Sequence, residues 1–101
     1  MDKSSIIHSV IFTLKHAQGS AEEAQFLEDG RRILSSIPSV RDFQVYRQVS
    51  PKNDYAFGFS MTFADAAAYE AYNEHPLHVA FVNERWLTEV ERFQEIDYQQ
   101  H

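Results

Sequence analysis

The sequence predicts an α+β fold in which four strands and two helical crossings follow the order βαββαβ. Three observations carry that prediction. Residues 6–15, 41–49, 55–63 and 90–98 alternate with the period of two that sends successive side chains to opposite faces of a strand. Longer stretches with helical periodicity, each opened by a capping residue, separate the first strand from the second and the third from the fourth. The third strand carries its large residues on one face and its small ones on the other, as a sheet covered by helices on one side requires.

In the first strand, Ile6 to Lys15, one face holds His8, Val10, Phe12 and Leu14, and the other Ile7, Ser9, Ile11 and Thr13. Both faces are apolar enough to be covered. After a polar turn ending at Gly19, Ser20 and Glu23 stand at capping-box spacing and open the first helix. Its buried side is expected along Ala24, Leu27, Leu34 and Ile37, widened by Phe26 and Ile33. Gly30 falls on that side, where the missing side chain permits either close packing or free space. Pro38 ends the helix. The second strand, Arg41 to Val49, sets Phe43, Val45 and Val49 against Gln44, Tyr46 and Gln48, and Ser50 to Asp54 reads as a turn.

The third strand, Tyr55 to Phe63, is the clearest: Tyr55, Phe57, Phe59, Met61 and Phe63 oppose Ala56, Gly58, Ser60 and Thr62. Asp65 caps a helix begun by Ala66, Ala67 and Ala68. Pro76 breaks it near Asn73 to His75 and starts a second helical piece that runs to about Leu87. In the last strand Phe93, Glu95 and Asp97 alternate with Arg92, Gln94, Ile96 and Tyr98. The expected architecture is a ferredoxin-like antiparallel sheet with its helices on one face. The uncovered face would carry Ile7, Ile11 and the small residues of the third strand. A second copy packed sheet to sheet, and hence a homodimer, is the expected way to bury it.

One domain is expected over residues 1–101, with a core of about 6–98, because 101 residues support one modest hydrophobic core. Eight Phe, five Tyr and one Trp exceed what such a core needs, which suggests a pocket or an interface. Fifteen acidic residues against nine basic ones, with no basic cluster, argue against a nucleic-acid partner. The absence of Cys excludes disulfides and thiolate chemistry. No apolar run is long enough to span a bilayer, and Met1 to Ser5 followed by a stretch broken at His8 and Ser9 makes a poor leader. The expected location is the cytoplasm, with no membrane partner.

Titratable and phenolic side chains crowd only between Tyr69 and Phe81. Tyr72, His75 and His78 are spaced by three, so a continuous helix would align them, but the break at Pro76 aims the histidines differently from Tyr72. His75, next to the proline, is expected at the helix junction without a direct role. No carboxylate spacing joins His8, His75 and His78 into a ligand set, so neither metal nor cofactor is expected. The plainest account of His8 is a half-buried histidine near a strand end. His16 and His101 call for no functional role.

Several segments together resemble the stress-responsive A/B barrel (Dabb) domain family. They are His8-Ser-Val-Ile-Phe-Thr-Leu-Lys15, Ile37 to Phe43, Tyr55 to Phe63, His75-Pro-Leu-His78 with Val79 and Phe81, and Ile96-Asp97-Tyr98. The resemblance implies a dimeric α/β barrel. It also implies a likeness to plant polyketide cyclases of this arrangement, which close a ring by intramolecular aldol condensation. On that likeness the catalytic histidine, its supporting aspartate, the tyrosine and the strand histidine correspond to His78, Asp97, Tyr72 and His8. The pocket would be lined by Val10, Phe12, Phe26, Leu27, Gly30, Phe59, Met61, Phe81 and Trp86. Gly30 stands where the cyclase has a pocket tyrosine, and Phe59 and Met61 are bulkier than the valines there.

The expected function is therefore the binding of a small apolar or aromatic molecule with a polar end. The alternative is a cyclase or lyase with His78 as general base, Asp97 orienting it, and Tyr72 with His8 donating to the oxygen on which charge develops. A cofactor-free monooxygenase is a further alternative by fold analogy. A His78–Asp97 contact that only ties helix to strand would need no chemistry.

Overall fold

Parity on the first strand organises the molecule. In β1 (Ile6–Leu14) the face carrying His8, Val10, Phe12 and Leu14 is buried, while Ile7, Ser9, Ile11 and Thr13 are half-buried. The computed structural model describes residues 3–101; Met1 and Asp2, weighed above as part of a leader, lie outside the described residues. β1 pairs antiparallel on one side with β3 (Phe57–Phe63) and on the other with β4 (Val90–Tyr98). β2 (Arg41–Arg47) pairs with β3, which gives the order β2-β3-β1-β4. A register shift in β2 between Arg41 and Gln44 contains Asp42 at φ 52°, a left-handed conformation that aspartate tolerates better than most side chains.

The sheet is open. β2 and β4 lie at opposite edges and do not pair with each other, so the barrel implied by the family resemblance is not formed: the chain is a ferredoxin-like α+β fold with one four-stranded antiparallel sheet. Closing a sheet on itself takes a fuller ring of tilted, staggered strands than four.

The helices cover the His8 face. α1 (Ala21–Ser35) is capped by Ser20, whose hydroxyl accepts from the Glu23 amide at 3.2 Å. The Glu23 carboxylate reaches back to the Gly19 amide at 3.1 Å, one residue before the usual partner. Phe26, Gly30 and Leu34 are buried on this helix, whereas Ala24 is exposed and Leu27 only half-buried. The stripe is thus rotated from the one expected, because burying Phe26 removes far more apolar surface from water than burying Ala24.

α2 (Ala66–Glu74) is capped by Asp65, which accepts from the Ala68 amide at 2.9 Å. His75 ends it and opens α3 (Pro76–Phe81), with Pro76 in the first turn and His75 Nδ1 accepting from the Leu77 amide at 3.1 Å. α3 continues through a π-helical turn, Val82–Trp86, and a last helical stretch, Leu87–Glu89, into β4. No helix among the described residues is long and apolar enough to cross a membrane.

An aromatic cluster joins the layers. Phe59 meets Phe12 edge-on at 4.8 Å between ring centroids, and Phe43 at 5.3 Å. Trp86, carried on the π-turn, meets Phe12 at 5.0 Å and Phe93 at 5.5 Å. Arg85 fixes that turn by donating to Asp29 of α1 at 2.7 Å and to Glu89 at 2.5 Å, and Glu89 in turn contacts His16 Nε2 at 2.7 Å. The Arg85 guanidinium holds the Asp29 carboxyl below its ordinary pKa.

Gly30 serves close packing rather than free space. A Cβ at this position would stand 2.7 Å from Phe59 Cζ and 3.4 Å from Phe81 Cζ. The Phe59 ring would have to shift against Phe12, Phe26 and Phe43 to make room. Gly30→Val is expected to lower stability by roughly 1–3 kcal/mol through overpacking, read by urea denaturation. A variant as stable as the parent would show that this contact yields freely.

Candidate functional site

β1 and β4 meet in register at His8 and Asp97, which places both side chains on the helix-covered face. His8 Nδ1 lies 2.5 Å from Asp97 Oδ1. Tyr69, on α2, sets its hydroxyl 2.8 Å from the same His8 nitrogen and donates to Asp97 Oδ2 at 3.0 Å. One consistent assignment has Nδ1–H and the phenol both donating to the carboxylate, leaving His8 Nε2 unprotonated in the neutral ring. The Tyr69 ring stacks on Phe63, 4.8 Å away and tilted by only 10°. Burial, reinforced by Asp97, pushes the Tyr69 phenol well above its ordinary pKa, so it stays a donor.

A second histidine stands nearby. His78, on α3, packs its ring 4.3 Å from that of Tyr72, whose own ring is 6.3 Å from His8. His78 Nδ1 is 3.1 Å from the backbone carbonyl of Asn73. A carbonyl only accepts, so Nδ1 carries the proton, and in the neutral ring Nε2 keeps its lone pair. Burial is the main influence on His78 and holds its pKa below the ordinary value, favouring that neutral ring. Burial likewise raises the Tyr72 phenol, with the Glu95 charge adding to it.

Of these groups, His8, Tyr72 and His78 form the polar part of a cavity of about 230 Å³ between sheet and helices, while Asp97 and Tyr69 hold His8 from outside its lining. Val10, Leu34, Phe59, Met61 and Phe81 supply a buried apolar wall. Val82 and Trp86 of the π-turn contribute, and Leu87, Phe93 and Glu95 form a more exposed rim. Irregular helical turns of this kind often shape binding sites.

Of the residues singled out in the sequence, His8, Tyr72, His78, Val10, Phe59, Met61, Phe81 and Trp86 share this cavity. Phe12 and Phe26 are fully buried in the aromatic cluster, Leu27 packs beside it, and Gly30 lies against Phe59. Asp97 does not orient His78, as the family likeness implied: it is held by His8 and Tyr69, while a backbone carbonyl orients His78. Tyr69 and Glu95 entered the site without being anticipated. Tyr69 lies one turn before Tyr72 on α2, and Glu95 shares the parity of Asp97 on β4, so helical spacing and strand alternation were the available signals. His75 caps α3, and among the described residues no three His, Asp or Glu side chains converge as metal ligands.

The His78 environment has a pH consequence. With its folded pKa below the unfolded value of about 6.5, the unfolded chain binds this proton first, so stability falls as pH drops through that window. His78→Gln is expected to flatten the part of the stability–pH curve just below about pH 6.5, measured by urea denaturation at a series of pH values. An unchanged curve would show that the ring gains no proton-linked stability there.

A search of curated proteins found no match. Among solved structures, a Dabb family protein with a ferredoxin-like fold from Mesorhizobium loti is 60% identical, with a TM-score of 0.95 over 96% of this chain and 97% of that one. A hydroxynitrile lyase from Passiflora edulis is 16% identical, with a TM-score of 0.82 over 99% and 96%. A dimeric ferredoxin-like protein of unknown function from Thermobifida fusca is 14% identical, with a TM-score of 0.78 over 95% and 91%. At such identities the last two are alike in fold alone. The Stress responsive A/B Barrel Domain family matches residues 6–100, nearly the whole described chain, and the protein belongs to that family.

Proposed function

We propose that the protein is a small acid–base enzyme of the lyase or cyclase type, making or breaking a carbon–carbon bond beside a carbonyl group. The observation that carries this reading is the His78 ring. Its Nδ1 proton is committed to the Asn73 carbonyl and its basic Nε2 remains, on a residue that lines an apolar cavity. In the condensing direction, Nε2 takes the proton from the carbon next to the carbonyl, and the carbanion attacks a second carbonyl carbon of the same substrate. The Tyr72 hydroxyl, kept protonated by burial, donates to an oxygen on which negative charge develops. His8, with Asp97 to stabilise a positive imidazolium, is the second group able to accept or return a proton. The likeness in fold to a lyase agrees with this chemistry without specifying it.

The test is turnover of a panel of aromatic and polyketide-like carbonyl compounds by wild type and His78→Ala. The variant is expected to lose activity by about 10²–10⁴-fold while its circular dichroism is unchanged. Activity of the wild type should also fall as the solution is acidified through the lowered His78 pKa, because the base is then protonated. A substitution that spares the rate, or a wild type inert to the whole panel, would retire the enzyme reading.

The uncovered sheet face supports pairing with a second copy. Ile7, Ile11 and Ile96 are half-buried there, and Tyr46, level with Gly58, and Tyr98, level with Ile7, are 53% and 55% exposed. A like fold that is dimeric agrees with this. Light scattering over a dilution series should report twice the chain mass of 11.8 kDa; a monomer throughout the micromolar range would exclude the pairing.

A further inference from the structure

We propose that Glu95 makes the cavity selective for molecules whose polar end is uncharged, such as an aldehyde or ketone, and turns away their carboxylate counterparts. The inference rests on the cavity being the ligand site, and deepens that reading by naming the class of molecule it admits.

Glu95 lies opposite Val10 across the β1–β4 ladder, on the helix-covered side and between Phe93 and Asp97 in parity. It lines the cavity from the exposed rim, together with Leu87 and Phe93. No Arg or Lys lines the cavity, and among the described residues Glu95 has no ion-pair partner. Its charge is therefore uncompensated where an entering molecule would pass. Asp97 follows on the same face with its carboxylate already held by His8 and Tyr69. The chain as a whole carries a formal charge of -6, so the long-range field has the same sign as the local one.

The inner groups match a neutral oxygen better than an anion. Tyr72 can donate one hydrogen bond to it, and the neutral His78 ring offers a lone pair rather than a positive charge. A carboxylate would give up hydration to enter an apolar wall without meeting a fixed cation, and would pass a like charge on the way. A volume of about 230 Å³ corresponds to about eight water molecules' share of the liquid, which suits one ring with a short substituent.

The experiment compares benzaldehyde, acetophenone and benzoate as ligands of wild type and Glu95→Gln, by heteronuclear NMR titration. Trp86 is the only tryptophan in the chain and lines the cavity, so its indole signal reports occupancy of this site. Wild type is expected to bind the two carbonyl compounds about tenfold more tightly than benzoate at low salt, with the gap shrinking as salt is added. E95Q should bring benzoate to within about threefold of the carbonyl compounds, changing the affinity for benzoate more than theirs. Glu95 is exposed, and unchanged thermal melting would verify that the variant folds. Equal binding of benzoate and the carbonyl compounds by wild type, or a gap that E95Q does not narrow, would overturn the selectivity while leaving the cavity a ligand site. No shift of the Trp86 signal with any of the three would overturn the ligand site and the selectivity with it.

Discussion

The position of β1 inside the sheet is the constraint on which the rest depends. Because it hydrogen-bonds β3 on one side and β4 on the other, its alternation is imposed on three strands at once. His8 is level with Met61 on one neighbour and Asp97 on the other; Phe12 is level with Phe57 and Phe93. The same face therefore turns from aromatic at one end to polar at the other without any change of secondary structure. The helices have only to cover it. α1 closes over the aromatic end through Phe26, and α2 brings Tyr69 and Tyr72 over the polar end.

The gap between these two closures is the cavity, and the π-turn governs its shape. An extra residue in the turn advances the helix by less rotation than an α-turn, which lets Val82 and Trp86 reach the same space. Arg85, within the turn, is held by Asp29 and Glu89 on either side of it. A partly buried ion pair of this sort adds little net stability when well made, yet removing one partner leaves a charge short of its compensation. Its effect here is to fix where the indole of Trp86 lies.

Period-two alternation and capping residues were enough to read the element order, both helix starts and the break at Pro76. They work because strand parity and the satisfaction of terminal amides are local properties. The rotation of α1 was less legible: Ala24 and Leu27 fit a helical stripe as well as Phe26 does, and only packing against Phe12 and Phe59 decides between them. The partner of Asp97 is hard to read from sequence for the same kind of reason. Alternation gives the parity within each strand, whereas the shared face of His8 and Asp97 and the contact of the carboxylate with His8 rather than His78 depend on the β1–β4 register and on the Asn73 carbonyl that engages His78. The barrel was an inference from kinship, and kinship does not create the missing strand pairings.

Asp97 reaches His8 from 89 residues away, and it does so on an edge strand held by β1 alone. Edge strands open at a lower free-energy cost than the global unfolding of the domain. Each opening of β4 around Asp97 would strip the imidazole of its carboxylate while Phe12, Phe26 and Phe59 remain packed. The proton-handling machinery and the hydrophobic core thus have separate lifetimes. On warming, the first would be lost by local opening well before the second melts, so amide exchange along Glu95 to Tyr98 would track the lifetime of the site more faithfully than any melting temperature.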